Sequence, residues 1–175
     1  MKELKDYNLT VGLFGSCDKT TFRKDIIIPI LEEKNIPYFN PQLGPGEWKP
    51  EFAQVEARHL AKDGIVLFPI VKDSYSMGSL SEVGFSVLNA IKLDNRRDFI
   101  ILIDQGLTPK LMEDEKMAKE SLRARALVKE HLISLNIDNI YLVETLSQMT
   151  KVALILYQTR SLQGLVSEFC ITNIK

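Results

Sequence analysis

Short apolar runs alternate along the chain with longer stretches in which apolar residues recur every three or four positions. Val11 to Gly15, Ile36 to Phe39, Ile65 to Ile70, Phe99 to Ile103 and Ile140 to Val143 predict five short strands. Between the first two, Thr20 to Lys34 carries Phe22, Ile26, Ile27, Ile30 and Leu31 at helical spacing, and Pro29 predicts a kink or a late helix start. Glu51 to Lys62, Ser79 to Leu93, Glu115 to Leu135 and Thr145 to Thr159 predict further helices. The third of these places Ala124, Leu127, Val128, Leu132 and Leu135 on one side. Asn40 to Pro50 holds three prolines and two glycines and predicts a loop, as does Asp104 to Met112. The last dozen residues fit neither period.

Strands apolar on both faces, separated by crossover helices, imply a parallel sheet covered on both sides. The expected fold is α/β: one doubly wound, flavodoxin-like or Rossmann-like domain over residues 1–175, with a five-stranded parallel sheet. In such sheets ligands bind outside the carboxyl ends of the strands. That rule selects the loops Ser16–Lys19, Asn40–Pro50, Val71–Ser79 and Asp104–Met112, together with Glu144. Asp63 precedes the third strand, so it belongs to the opposite edge and to structure.

Composition narrows the partners. Hydrophobic residues make up 45% and charged residues 26%, and 22 basic against 23 acidic residues leave a net charge of −1. No basic field draws in a nucleic acid polymer, and no polybasic block suggests a membrane surface. Cys17 and Cys170 form no CxxC pair, and with only His59 and His131 beside them no metal site is expected. The polar start MKELKDYNLT lacks a signal peptide's apolar core, and no apolar run nears the ~20 residues of a membrane helix. The expectation is a reduced, cytoplasmic protein with a small-molecule or protein partner. The charged run Glu113 to Glu130 reads as a solvated helix face.

Within the selected loops, Gly12-Leu13-Phe14-Gly15-Ser16-Cys17 is a strand running into a glycine turn. Backbone N–H groups there suit a phosphate or hydroxyl, and Arg23 follows one turn into the next helix. Cys17 has no histidine obviously placed as a base, so its nucleophilic reading is the weaker one. Phe52, Val55, Glu56 and His59 share a helix face; Glu56 either looks into the cleft or pairs with Arg58 or Lys62. His59, deeper along the helix, reads as a packing histidine. Ser79-Leu80-Ser81-Glu82 matches a capping box, with Ser79 as N-cap and Glu82 in the first turn, where the helix dipole favours an ionised carboxylate. An ionised carboxylate in a cleft is also what covalent glycosyl transfer requires. On the residues alone, Glu82 is either cap or catalyst.

Taken in order, the segments from about residue 9 to 105 resemble the nucleoside 2-deoxyribosyltransferase-like family. They are Leu13-Phe14-Gly15-Ser16, Tyr38-Phe39-Asn40-Pro41, Trp48, Val55-Glu56 with His59-Leu60, Lys62-Asp63-Gly64-Ile65-Val66-Leu67-Phe68, and Ser79-Leu80-Ser81-Glu82-Val83-Gly84-Phe85. The resemblance implies that Glu82 attacks the anomeric carbon of a 2-deoxyribonucleoside, releasing the base and leaving a deoxyribosyl ester for a second base or water. Glu56 would assist the departing base, although the family carries aspartate about one residue earlier. Substrate contacts would come from Gly15, Ser16, Arg23, Asn40, Trp48, Ser76, Gly78 and Ser79. No cofactor is implied, and a homo-oligomer is, with a neighbouring subunit adding a residue near Asp104–Met112. Two positions depart from the transferases. Ser76 stands where they have aspartate and is similar to the related 2-deoxynucleoside 5-phosphate N-hydrolases, in which serine helps hold the phosphate. Leu13 stands where those hydrolases have tyrosine. The alternatives are a nucleotide-binding or sensing protein without turnover, and an NAD glycohydrolase.

Overall fold

A computed structural model describes residues 8–17, 20–44, 47, 49–92, 97–167 and 169. Five strands, β1 (Asn8–Leu13), β2 (Tyr38–Phe39), β3 (Asp63–Ile70), β4 (Asp98–Ile103) and β5 (Ile140–Val143), form one all-parallel sheet in the order β2-β1-β3-β4-β5. The helices are α1 (Ile28–Glu33), α2 (Pro50–Lys62), α3 (Met77–Lys92), α4 (Pro109–Met112), α5 (Glu115–Leu135) and α6 (Leu146–Ser167). This is the doubly wound α/β architecture expected from the pattern, with its switch point between β1 and β3.

The pleat divides the apolar runs between two cores. Ile65 and Leu67 of β3, with Ile100 and Leu102 of β4, pack beneath Ile27, Leu31, Met149 and Ala153 from the α1 and α6 side. Val66, Phe68 and Ile70, with Phe99, Ile101 and Ile103, pack against Leu80, Val83 and Leu132 from α3 and α5. β3 and β4 are buried along their whole length, which is why both read as unbroken apolar runs.

Several boundaries differ from expectation for local reasons. β2 is only two residues long, because Pro37 ends the pairing as an acceptor, its carbonyl taking the Val11 N–H at 3.0 Å. Pro29 lies at the start of α1, preceded by a π-helical turn, Arg23–Ile27; it has no N–H to continue a ladder from that turn. α4 forms inside the predicted Asp104–Met112 loop, begun by Pro109. α6 continues eight residues past Thr159, to Ser167. On α5, Ala124, Val128 and Leu132 face the core, but Leu127 and Leu135 are exposed, because a stripe that wide outruns the sheet it covers. No helix among the described residues is long and apolar enough to cross a membrane.

Candidate functional site

At the carboxyl edge of the sheet, β1 ends in a turn that only glycine fits. Gly15 has φ +91°, and a Cβ there would sit 2.7 Å from the Pro69 carbonyl oxygen. The next residue's N–H donates to that carbonyl at 2.9 Å, tying the β1 turn to the end of β3. Ser16 is fully buried; its hydroxyl accepts from Val71 N–H at 3.0 Å and lies 2.5 Å from the Ser76 hydroxyl. Ser76, at φ +54°, occupies the left-handed region that non-glycine residues seldom adopt.

Two arginines with fully buried side chains hold these turns. The Arg23 guanidinium donates to the carbonyls of Leu13, Ser16, Phe14 and Gly15 at 2.7–3.1 Å. Arg125, from α5, donates to the carbonyls of Ile70, Asp104, Val71 and Ser74. Ser121 donates to Tyr75 O and Tyr75 to Leu111 O, so α5 and α4 fix the same β3–α3 loop from outside. Arg23 was an expected substrate contact; here its donors are spent on the backbone and it does not line the cavity below. Its role is to position the turn and to place a buried positive charge behind it.

α3 begins earlier than the capping-box pattern implied. Leu80 N–H donates to Ser76 O at 2.9 Å, so the helix opens at Met77. Glu82 therefore lies in the second turn, and Ser79 is not its N-cap. Among the described residues, the Ser79 hydroxyl has no hydrogen-bond partner although the residue is only 8% exposed. The N–H groups of Met77, Gly78 and Ser79 have no carbonyl one turn earlier to bond.

These elements enclose a cavity of about 290 Å³ lined by Glu82, Glu56, Gly15, Cys17, Phe14 and Pro41, and by Ser74 through Ser79 except Tyr75. It thus brings together Glu82, Glu56, Gly15, Ser76, Gly78 and Ser79 from the expected set. Ser16 sits directly behind its wall. Asn40 does not line it: its side-chain oxygen accepts from Gln42 N–H at 3.1 Å in a local turn, and the neighbouring Pro41 forms the wall instead. Trp48 lies outside the described residues. Ser74, Met77 and Cys17 also line the cavity; the first two lie in the Val71–Ser79 loop that the sheet-edge rule selected.

Glu56 and Glu82 accept no hydrogen bond and form no ion pair among the described residues. Burial pushes the Glu82 carboxyl above the usual range, the Glu56 charge adds to the rise, and Arg23 offsets part of it. Burial raises Glu56 as well, with Arg23 pulling it back. Glu82 therefore lies beyond the first turn, and burial and the Glu56 charge shift it toward its neutral form. Cys17 is likewise raised, first by burial, with Arg23 opposing and the two carboxylates reinforcing, so it rests as a thiol.

The expected structural residues gather at the other edge. His59 Nδ1 lies 3.0 and 3.2 Å from the two carboxyl oxygens of buried Asp63, and its ring stacks on Phe39 at 3.7 Å between centroids. A second cavity, of about 560 Å³, lies across the Val71–Asp73 segment between Thr20–Ile26 and Thr108–Leu111. None of the expected site residues lines it.

No family model matches the sequence, and no curated protein matches it. Among solved structures the chain is similar to the TIR domains of the activated Roq1 resistosome directly recognizing the pathogen effector XopQ. The identity is 16% over 84% of each chain, with a TM-score of 0.39. A likeness at that level bears on neither mechanism nor substrate.

Proposed function

We propose that the protein cleaves or transfers the N-glycosidic bond of a 2-deoxyribonucleoside or its 5-phosphate, as a member of the nucleoside 2-deoxyribosyltransferase-like family. One observation carries the reading: two carboxylates without partners, Glu82 and Glu56, line one cavity at the carboxyl edge of a parallel sheet. A Glu82 carboxylate oxygen attacks the anomeric carbon as the bond to the base breaks, and the bonding electrons leave with the base. Glu56 supplies the proton that neutralises the departing heterocycle. Water or a second base then opens the ester.

The active form of such a pair carries one proton. For attack that proton must sit on Glu56 while Glu82 is ionised. The open start of α3, with the hydroxyls of Ser74, Ser76 and Ser79 nearby, suits a 5-phosphate. Ser76 in place of an aspartate removes a charge that would repel that phosphate.

The test is incubation with a 2-deoxynucleoside and with its 5-monophosphate, following free base chromatographically. Addition of a second base separates transfer from hydrolysis, and intact mass after a rapid quench shows the deoxyribosyl adduct on Glu82. Full activity in Glu82→Ala would sink the mechanism. A second reading, nucleotide binding without turnover, is favoured by the burial and the Glu56 charge that raise the Glu82 carboxyl. Calorimetry showing tight nucleotide binding with no base released over long incubation would establish it. Nicotinamide release from NAD would point to the glycohydrolase alternative.

A further inference from the structure

Among the described residues, the buried hydroxyls of Ser16, Thr20, Ser76, Ser121 and Thr150 each have a hydrogen-bond partner. Those of Ser79 and Ser86 have none. Both exceptions lie on α3, three residues before Glu82 and four residues after it. At about 100° of turn per residue, the three positions fall within about 60° of arc, with Ser86 between the other two in projection. Ser79 opens into the cavity, where a ligand can reach it. Ser86 is only 4% exposed and does not line the cavity, so its hydroxyl is enclosed without a partner.

A serine inside a helix has a ready acceptor in the carbonyl four residues earlier. Ser81, on this same helix, uses it by donating to Met77 O at 3.2 Å, and Thr150 does so on α6 with Leu146 O at 2.9 Å. Ser86 makes no such bond to the Glu82 carbonyl. An unpaired buried hydroxyl destabilises a fold, so a second acceptor is called for. Residues four apart on a helix are neighbours, and side chains lean toward the helix start, so Ser86 leans over the turn that carries Glu82. We propose that the Ser86 hydroxyl donates to the Glu82 carboxylate when that group is ionised, which makes Ser86 a positioning residue for the nucleophile. The charges around Glu82 do not fix its oxygens: Glu56 repels them, and Arg23 attracts from behind the β1 turn with its donors on four carbonyls. A neutral donor one turn along the same helix face holds the anion and sets which oxygen meets the anomeric carbon. That catalytic role rests on the N-glycosidic reading, whereas the hydrogen bond itself does not.

Carbon NMR titration of the glutamate carboxyls in the full chain tests the bond, with the Glu82 signal assigned by its loss in Glu82→Gln. Ser86→Ala should raise the apparent pKa of Glu82 by about one unit, because the anion loses its donor. The same variant should melt no lower than wild type, since alanine is the better helix former and leaves no unpaired hydroxyl. In base release, kcat should fall about tenfold with KM unchanged. An unmoved Glu82 titration would overturn the hydrogen bond. A lower melting temperature, or failure of Ser86→Ala to fold, would overturn it too, by showing that the hydroxyl serves packing. A shifted titration with unchanged kcat would overturn the positioning role. A shifted titration in a protein that releases no base would support the hydrogen bond and remove only the N-glycosidic reading.

Discussion

The two edges of the sheet treat their acids in opposite ways. At the amino edge the buried acids among the described residues each have a partner: Asp63 holds His59 at 3.0 Å, and Asp98 accepts from Arg160. Buried Arg97 closes the same edge by donating to the carbonyls of Asp63 and Leu60. At the carboxyl edge two buried arginines also cap strand ends, but their donors go to carbonyls, and Glu56 and Glu82 are left to the cavity. Burial raises the pKa of Asp63 as well, yet its histidine and Arg97 draw it back. The lesson is that burial alone does not mark a site. Burial of acids beside an already satisfied cation does, because the arrangement lowers stability and serves no packing need.

Exchanging acids between the two edges gives the sharpest contrast. Glu82→Gln should lower base release by about 10³-fold or more, whereas Asp63→Asn should leave turnover within about threefold. Steady-state rates with a 2-deoxynucleoside 5-monophosphate measure both. Next in size, Arg125→Met and Arg97→Met should each destabilise the fold by about 3–5 kcal/mol in urea titration, since buried carbonyls lose their donors. Only Arg125→Met should also weaken nucleotide binding, because it alone releases the Ser74–Ser76 loop.

A pH profile separates the edges further. A one-proton carboxylate pair predicts a bell-shaped rate, falling on the acid side when both glutamates are protonated and on the alkaline side when both ionise, with both limbs above the ordinary carboxylate range. The smallest effect concerns stability. Glu82 has a raised folded pKa, so its favourable contribution is present below its unfolded pKa and is lost as pH rises through the folded value. Glu82→Gln should therefore raise Tm by about 1–3 °C at neutral pH, allowing for partial solvent screening, and by nothing near pH 4. Equal Tm values at both pH values would show that Glu82 is not strained by burial.

The fold was largely legible because β3 and β4 are buried on both faces, so their apolar runs stand out without alternation. What escaped was governed by partners far away in the chain. The start of α3 is set by Ser76, whose strained backbone is held by Ser16, sixty residues earlier, and no local pattern displays that bond. The capping-box motif at Ser79 was locally sound and lost to this tertiary constraint. Glu82 and Glu56 could be nominated from position and resemblance, but their lack of partners is a property of the packed cavity. Arg23 illustrates the reverse error: a cation one turn into a helix beside a glycine turn suggests anion binding, while burial turns it into a fastener for four carbonyls.

Arg125 reaches across 51 to 55 positions of sequence to the carbonyls of Ile70, Val71 and Ser74. Contacts so distant in sequence close only after α5 has docked on the sheet, so the β3–α3 loop is expected to settle after the folding transition state. A nucleotide that fits the finished cavity should then leave the refolding rate almost unchanged and slow unfolding in proportion to its binding. For this protein, a ligand's occupancy should appear as lifetime of the native state rather than speed of reaching it.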